Sequence, residues 1–233
     1  METMVFVHPL GHGSRVWRRQ REALAGRYEV ITVDLPGHGG TPGPFTLTAA
    51  VGALTPHLSR GAHLVAMGDG CLVAVLAALA CRDRLPGLVL SSPRIRPSLP
   101  PPLYRVAAAI TPTPVLRLFA AARNLRSREV REAVDAGLRE VGGDIRRQIA
   151  VKVAHTDLTP RLRHLTVPTL VLCGERDPAG CRESGVIAGM LPAARRETVP
   201  GAGAFPNLEA AAAFDRIVTG FVDGHSRPQR HDP

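Results

Sequence analysis

Lysine is almost missing from this chain: among its 29 Lys and Arg residues, Lys152 is the single lysine. Aromatic residues are also scarce, at 4%, and Trp17 is the one tryptophan. No apolar run approaches the roughly 18 residues of a membrane span, and the amino terminus, "METMVFVHP", lacks the basic and apolar regions of an export signal. The formal charge of +9 invites a nucleic-acid reading, but such binding needs basic side chains clustered or interleaved with aromatics. Here the arginines are spread along the chain, densest at "RRQR" (18–21). Nucleic-acid binding is therefore not expected, and an anionic small ligand is a less demanding use of the charge. Cys71, Cys81, Cys173 and Cys181 show no Cys-x-x-Cys or Cys/His spacing. That predicts a reduced, cytoplasmic protein without a disulfide framework. Neither a metal-ligand cluster nor a Gly-rich phosphate loop is present, so no metal or organic cofactor is implied.

What is present is an alternation of short apolar runs and helical patterns. "MVFVH" (4–8), "YEVITVD" (28–34), "AHLVAMG" (62–68), "LPGLVLSS" (85–92) and "PTLVLCGE" (168–175) read as strands, and "RRETVPG" (195–201) as a last one. The apolar runs are continuous, as expected for strands covered on both faces. Helical patterns fall at 15–25, 46–59, 70–83, 180–191 and 207–223. This rhythm predicts an α/β fold: a mostly parallel, twisted sheet with helices on both faces. Residues 93–165 break it. They hold a proline-rich start, "PRIRPSLPPP", and then helical patterns such as "LYRVAAAI", "PVLRLFAAA" and "SREVREAVDAGLREV", with no strand candidate. The expected organisation is a core of residues 1–92 and 166–224, a helical cap inserted at 93–165, and a disordered tail at 225–233. Ligands of open α/β sheets bind at the carboxyl ends of the strands, so such a cap would roof the site.

Four motifs in chain order carry the chemistry. "VFVHPLGHGSRVW" (5–17) and "YEVITVDLPGHGGT" (28–41) come first; the latter places Asp34, Pro36, Gly37, His38 and Gly39 in one turn. "PTLVLCGERD" (168–177) ends on Asp177, and "VPGAGAFPNLE" (199–209) closes the series. In this order they resemble the α/β-hydrolase family over residues 4 to about 222. The resemblance implies a Gly-x-Ser-x-Gly elbow, an acid and a histidine. The elbow falls on Ala66-Met67-Gly68-Asp69-Gly70, so the nucleophile position is Gly68. The acid position keeps Asp177, and the histidine position, within Gly203-Ala204-Phe205, is Ala204. A register shifted by one would make Asp69 the nucleophile, but it puts Met67 and Cys71 where the elbow wants small residues and still supplies no histidine. Cys71 as nucleophile would lie inside the following helix.

Glycine and alanine can neither attack an ester nor activate the attacker. The resemblance assigns the oxyanion donors to the backbone N–H groups of Leu10 and Asp69, which survive any side-chain loss. The turn is thus expected to bind and polarise a ligand rather than attack it. Asp69 is a candidate base at the pocket floor, or simply a carboxylate favoured by a helix N-terminus. Asp177 would orient or deprotonate a ligand, or only bond backbone; His12 is the nearest acid or base, or an exposed loop histidine. Trp17, Ser92 and Phe205 are expected at the pocket, with Tyr104, Arg105, Phe119, His155 and Asp157 as candidates for its roof. His8 and His38 are read as structural. The expected function is a non-hydrolytic protein binding a small, mainly apolar carbonyl metabolite and promoting cyclisation, dehydration or rearrangement. A non-catalytic small-molecule binder is the alternative, and a hydrolase with relocated residues the third.

Overall fold

The computed structural model describes residues 1–58, 61–97 and 127–225. Six strands form one sheet: β1 (Glu2–Val7), β2 (Tyr28–Val33), β3 (Ala62–Met67), β4 (Leu88–Ser91), β5 (Thr169–Gly174) and β6 (Ala194–Val199). They are ordered β2-β1-β3-β4-β5-β6, and every pairing is parallel.

Strand alternation sorts the side chains into two cores. Val5, Val7, Leu64, Ala66, Leu88, Leu90 and Val171 face one side of the sheet. Met4, Phe6, Val65, Met67, Val89, Leu170 and Leu172 face the other. The first core is covered by α2 (Leu47–Leu54), α3 (Gly70–Ala80) and, after β5, α6 (Pro178–Met190). On the second side, α1 (Arg18–Leu24) and the carboxyl-terminal α8 (Ala211–Gly224) contribute Leu24, Phe214, Val218 and Phe221. Strands β3, β4 and β5 are buried along their whole length, whereas the edge strands β2 and β6 expose charged residues. The apolar runs of β3, β4 and β5 therefore mark interior strands, whereas "YEVITVD", expected to be covered on both faces, is an edge strand with Glu29 exposed, as is "ARRETV" with its arginines.

Between β4 and β5 lie α4 (Arg128–Glu140), α5 (Gly143–Ala154) and a 3-10 turn (Thr159–His164). Ser127 caps α4 by accepting the Val130 N–H. Two ion pairs, Arg15 to Glu140 at 3.1 Å and Arg19 to Glu129 at 2.9 Å, reach from the α1 region to α4. Exposed pairs of this kind contribute up to about 1 kcal/mol each. Full burial of Val130 and Val141 contributes roughly 1.5–3 kcal/mol each, so apolar packing does more than the ion pairs to seat α4. The earlier helical patterns of this segment, with Tyr104, Arg105 and Phe119, and residues 226–233 of the tail lie outside the described residues.

One expectation is overturned. Cys173, at the end of β5, and Cys181, in the first turn of α6, form a disulfide, with Cα atoms 5.2 Å apart. The eight-residue spacing carries no recognisable metal or redox signature; the strand-to-helix turn alone brings the two together. Cys71 and Cys81 are free. Among the described residues, no helix is long and apolar enough to cross a membrane.

Candidate functional site

Strand β3 delivers its chain to Gly68 at the carboxyl edge of the sheet, and α3 begins two residues later. Gly68 has φ +61°, a left-handed conformation that favours glycine. Its N–H donates to the Ser91 carbonyl at 2.9 Å, and its carbonyl accepts the Arg94 N–H at 2.9 Å. The exit from β4 thus holds both polar groups of the turn. A Cβ on Gly70 would run into the His8 carbonyl oxygen, so helix and β1 loop touch backbone to backbone there. A Cβ on Gly68, by contrast, would meet only the Pro9 ring, at 3.4 and 3.8 Å, among the described residues. That is ordinary contact.

Asp69 turns its carboxylate back onto the β1 loop: Leu10 N–H donates to Oδ1 at 2.7 Å. Leu10 was expected to offer that donor to a ligand; the protein's own carboxylate takes it instead. Burial pushes the Asp69 carboxyl up to about 6, against the opposing pull of the Arg94 guanidinium and of neighbouring backbone N–H groups, Leu10 first.

The loop under this turn is built by two histidines. His8 Nδ1 donates to the Pro9 carbonyl at 2.9 Å, which leaves Nε2 to accept the Leu35 N–H at 3.2 Å. His38 repeats the device, with Nδ1 to the Pro36 carbonyl at 3.0 Å and Nε2 accepting the Gly11 N–H at 3.1 Å. Both rings must be neutral to do this. Burial lowers both, His8 to about 3. Asp34 completes the loop by accepting the Ser14 N–H at 2.6 Å.

His12 is half-buried beneath α4. A Cβ on Gly137 would fall 2.6 Å from the Gly11 carbonyl and 2.9 Å from His12 Nδ1, so the helix rests on this loop through a glycine. The His12 ring meets Phe205 edge-on at 5.5 Å. Its Nδ1 has no partner among the described residues. Burial lowers His12 to about 4, against the Ala133 carbonyl, so it is neutral near pH 7. Beside it a cavity of about 570 Å³ opens between the loop and α4, lined by His12, Arg15, Arg19, Glu129, Ala133 and Glu140 among others.

The remaining positions are scattered around the same edge. Asp177 caps α6 by accepting the Gly180 N–H at 3.1 Å. Ala204 lies in a loop held by Glu209, whose two carboxylate oxygens accept the Gly203 and Phe205 N–H groups at 3.1 Å each. Trp17, expected at the pocket, is wholly buried in the core between Phe6 and Phe214. Ser92 is buried with φ +44°, and its hydroxyl has no partner among the described residues. Of the roof candidates, His155 Nδ1 bonds the Val151 carbonyl, and Asp157 accepts from Thr159. No hydrogen bond or ion pair joins Asp69 to His12 or Asp177 among the described residues. Nor do three metal-binding side chains converge among them.

Two contributors escaped sequence reading. Glu209 follows a Pro at the first position of a short helix, α7 (Pro206–Glu209), a helix-start signal that could have flagged it. Arg94 had no such signal; only folding places it beside Asp69.

The sequence profile of the alpha/beta hydrolase family matches residues 4–217. A pimeloyl-[acyl-carrier protein] methyl ester esterase of Edwardsiella ictaluri is 27% identical over 242 residues, covering 96% of this chain and 94% of the relative. Among solved structures, a thermophilic esterase from Thermogutta terrifontis is 25% identical with a TM-score of 0.84, covering 97% of this chain and 91% of the other. The structure of MenH from S. aureus shares the fold with a TM-score of 0.81 at 20% identity, covering 96% and 94%.

Proposed function

Because the chain belongs to the α/β-hydrolase family, we propose that it is an enzyme of that fold which works without a covalent acyl step. In this reading it binds a small, mainly apolar carbonyl-containing metabolite beneath α4 and α5. It promotes cyclisation, dehydration or rearrangement by positioning the ligand and moving a proton at Asp69. The observation that carries the reading is a bare, left-handed Gly68 elbow followed directly by Asp69, whose carboxylate folds back to accept the Leu10 N–H and is pushed up to about 6 by burial. A serine mechanism needs a hydroxyl and a base; Gly68 and Ala204 provide neither. Leu10 N–H is already engaged, so polarisation passes to Asp69 itself. Neutral, it donates a hydrogen bond to a ligand carbonyl; ionised, it accepts a proton.

The test incubates purified protein with extract from a source strain lacking the gene, following solution and protein-bound fractions by mass spectrometry. A new product growing with time and protein is expected, lost in Asp69→Asn while binding persists. A compound retained stoichiometrically and unchanged supports the second reading, a binder on a disarmed hydrolase scaffold. The observation favouring that alternative is the missing partner: His12, the nearest histidine in the loop, has no bond to Asp69 among the described residues, so no second acid or base is seen to converge. The same gap weighs against a relocated hydrolase using Asp69 and His12 on water, although the curated relative is named as an esterase.

A further inference from the structure

We propose that the Cys173–Cys181 bond is a thiol-exchange site: a dithiol reductant opens it at Cys181, Cys173 departs beside Arg196, and the opening loosens the loop that carries Ala204. The exchange and the loop change stand without the chemistry proposed above; only their effect on a ligand rests on that reading.

The two sulfurs are unequal. Cys173 is wholly buried at the end of β5, whereas Cys181 is partly exposed in the first turn of α6. An incoming thiolate therefore meets Cys181 first. It forms a bond to Cys181 Sγ as the Cys173–Cys181 bond breaks, and Cys173 Sγ leaves with the electron pair as a thiolate. The second thiol of the reductant, deprotonated, then attacks the mixed disulfide and releases Cys181. The reductant departs as a cyclic disulfide. Two electrons have passed to the protein, and the two thiol protons have gone to Cys181 and to solvent.

Partners for both products are already in place. Arg196 Nη2 lies 3.7 Å from Cys173 Sγ and donates to the Cys181 carbonyl at 3.3 Å. Its neighbour Arg195 pairs with Glu197 at 2.8 Å, whereas Arg196 makes no ion pair among the described residues. Its charge is thus free to stabilise a thiolate, and a stabilised thiolate leaves faster. Thr198 Oγ1 is 3.7 Å from the same sulfur. Cys181 Sγ stands 3.3 Å from the Gly174 carbonyl oxygen. A thiol donates to that oxygen; a disulfide has no hydrogen to give.

The chain between the two cysteines fastens the neighbouring loop. Glu175 accepts the Gly201 N–H at 2.8 Å, and the Arg176 N–H donates to the Ala202 carbonyl at 2.7 Å. Arg176 also pairs at 3.8 Å with Glu209, the carboxylate that holds the Gly203 and Phe205 N–H groups on either side of Ala204. Phe205 in turn meets the His12 ring. Closing a short loop removes chain freedom. Opening it returns that freedom to Glu175 and Arg176, and through their bonds to residues 201–205.

The test treats folded, ¹⁵N-labelled protein with dithiothreitol at pH 7.5, following thiols by mass spectrometry and the amide shifts of Gly201, Ala202 and Phe205. The expected result is opening at a rate proportional to dithiol, with all three amides shifting as it proceeds. Glutathione, a monothiol, followed by acid quenching and peptide mapping, should leave its adduct on Cys181. Arg196→Leu should slow opening roughly three- to tenfold through a poorer leaving thiol, and Arg196→Lys should keep most of the rate. Four free thiols before any reductant, a rate that ignores dithiol and tracks global unfolding, an adduct on Cys173, an unchanged rate in Arg196→Leu, or unshifted amides after reduction overturns the proposal. Should Arg196→Leu not fold, adduct position and amide shifts on the wild-type chain decide. Turnover of the metabolite extract is read separately on oxidised and reduced protein. Opening with loop shifts in a protein without turnover overturns the catalytic reading alone, and turnover by a protein whose bond resists dithiol overturns the exchange site alone.

Discussion

The Leu10 backbone N–H donates to Asp69 Oδ1 across 2.7 Å, joining residues 59 positions apart. This one bond ties the loop after β1 to the start of α3 and fills, with the protein's own carboxylate, a donor that the family resemblance reserves for a ligand oxygen.

Rebuilding the missing groups tests that arrangement. Gly68→Ser with Ala204→His should give weak esterase activity and slow reaction with a fluorophosphonate probe. Adding Asp69→Ala frees the Leu10 donor and should raise the rate by up to roughly 100-fold, the scale of one oxyanion hydrogen bond. Asp69→Asn leaves an oxygen to hold Leu10 and should not. A folded set that never labels would place the elbow elsewhere.

Stability should fall on acidification. His8, His12 and His63 are lowered to about 3, 4 and 4, chiefly by burial. Their stabilising contribution is complete above pH 6.5 and is lost as pH falls toward 4, because the unfolded chain binds protons that the fold refuses. Asp69, raised to about 6, acts oppositely: its contribution is complete below pH 4 and lost as pH rises through 6. His38 is lowered and Asp215 raised by burial as well; the histidine losses still outweigh the carboxyl gains, so the slope near pH 5 is on the order of 2 kcal/mol per unit. Thermal melts between pH 7.5 and 4.5 measure it, and Asp69→Asn should steepen the fall by removing the opposing group. A flat profile would mean that these histidines are solvated.

Two glycines two residues apart should respond unequally. Gly70→Ala forces a Cβ into the His8 carbonyl and should cost about 3 kcal/mol or more. Gly68→Ala meets only ordinary contacts and bears mainly the positive φ, about 1–2 kcal/mol. Urea denaturation of both variants gives the difference; equal losses would contradict the close approach at Gly70.

The Cys173–Cys181 bond closes a short loop, with a sequence separation of 8. Intact mass should rise by about two daltons on reduction, and removing the bond should cost roughly 2–3 kcal/mol by the loop-closure estimate. Thiol titration of the unfolded, unreduced protein should find Cys71 and Cys81 alone; four reactive thiols would show that the bond does not form.

Much of the fold was legible because its signals are local. Continuous apolar runs mark strands covered on both faces, and the run at 62–67 is buried throughout. Gly68 at a left-handed turn follows from the motif spacing. Asp177 was legible in place and in one of its two readings, since it bonds backbone as a helix cap, whereas Trp17, expected at the pocket, fills a core. The disulfide was missed because its spacing has no signature of its own; only a strand turning into a helix brings the sulfurs together.

By itself the sequence determined the order of strands and helices along the chain and the family resemblance, since these depend on residue type and spacing. Tertiary structure decided what the remaining groups do. Whether a carboxylate at residue 69 meets solvent, a ligand or the Leu10 N–H depends on residues far away in sequence. So does its proton affinity, which is set by burial and by the Arg94 charge brought in from the loop after β4. Long-range contacts fix hydrogen-bond partners and desolvation, and no local pattern encodes either.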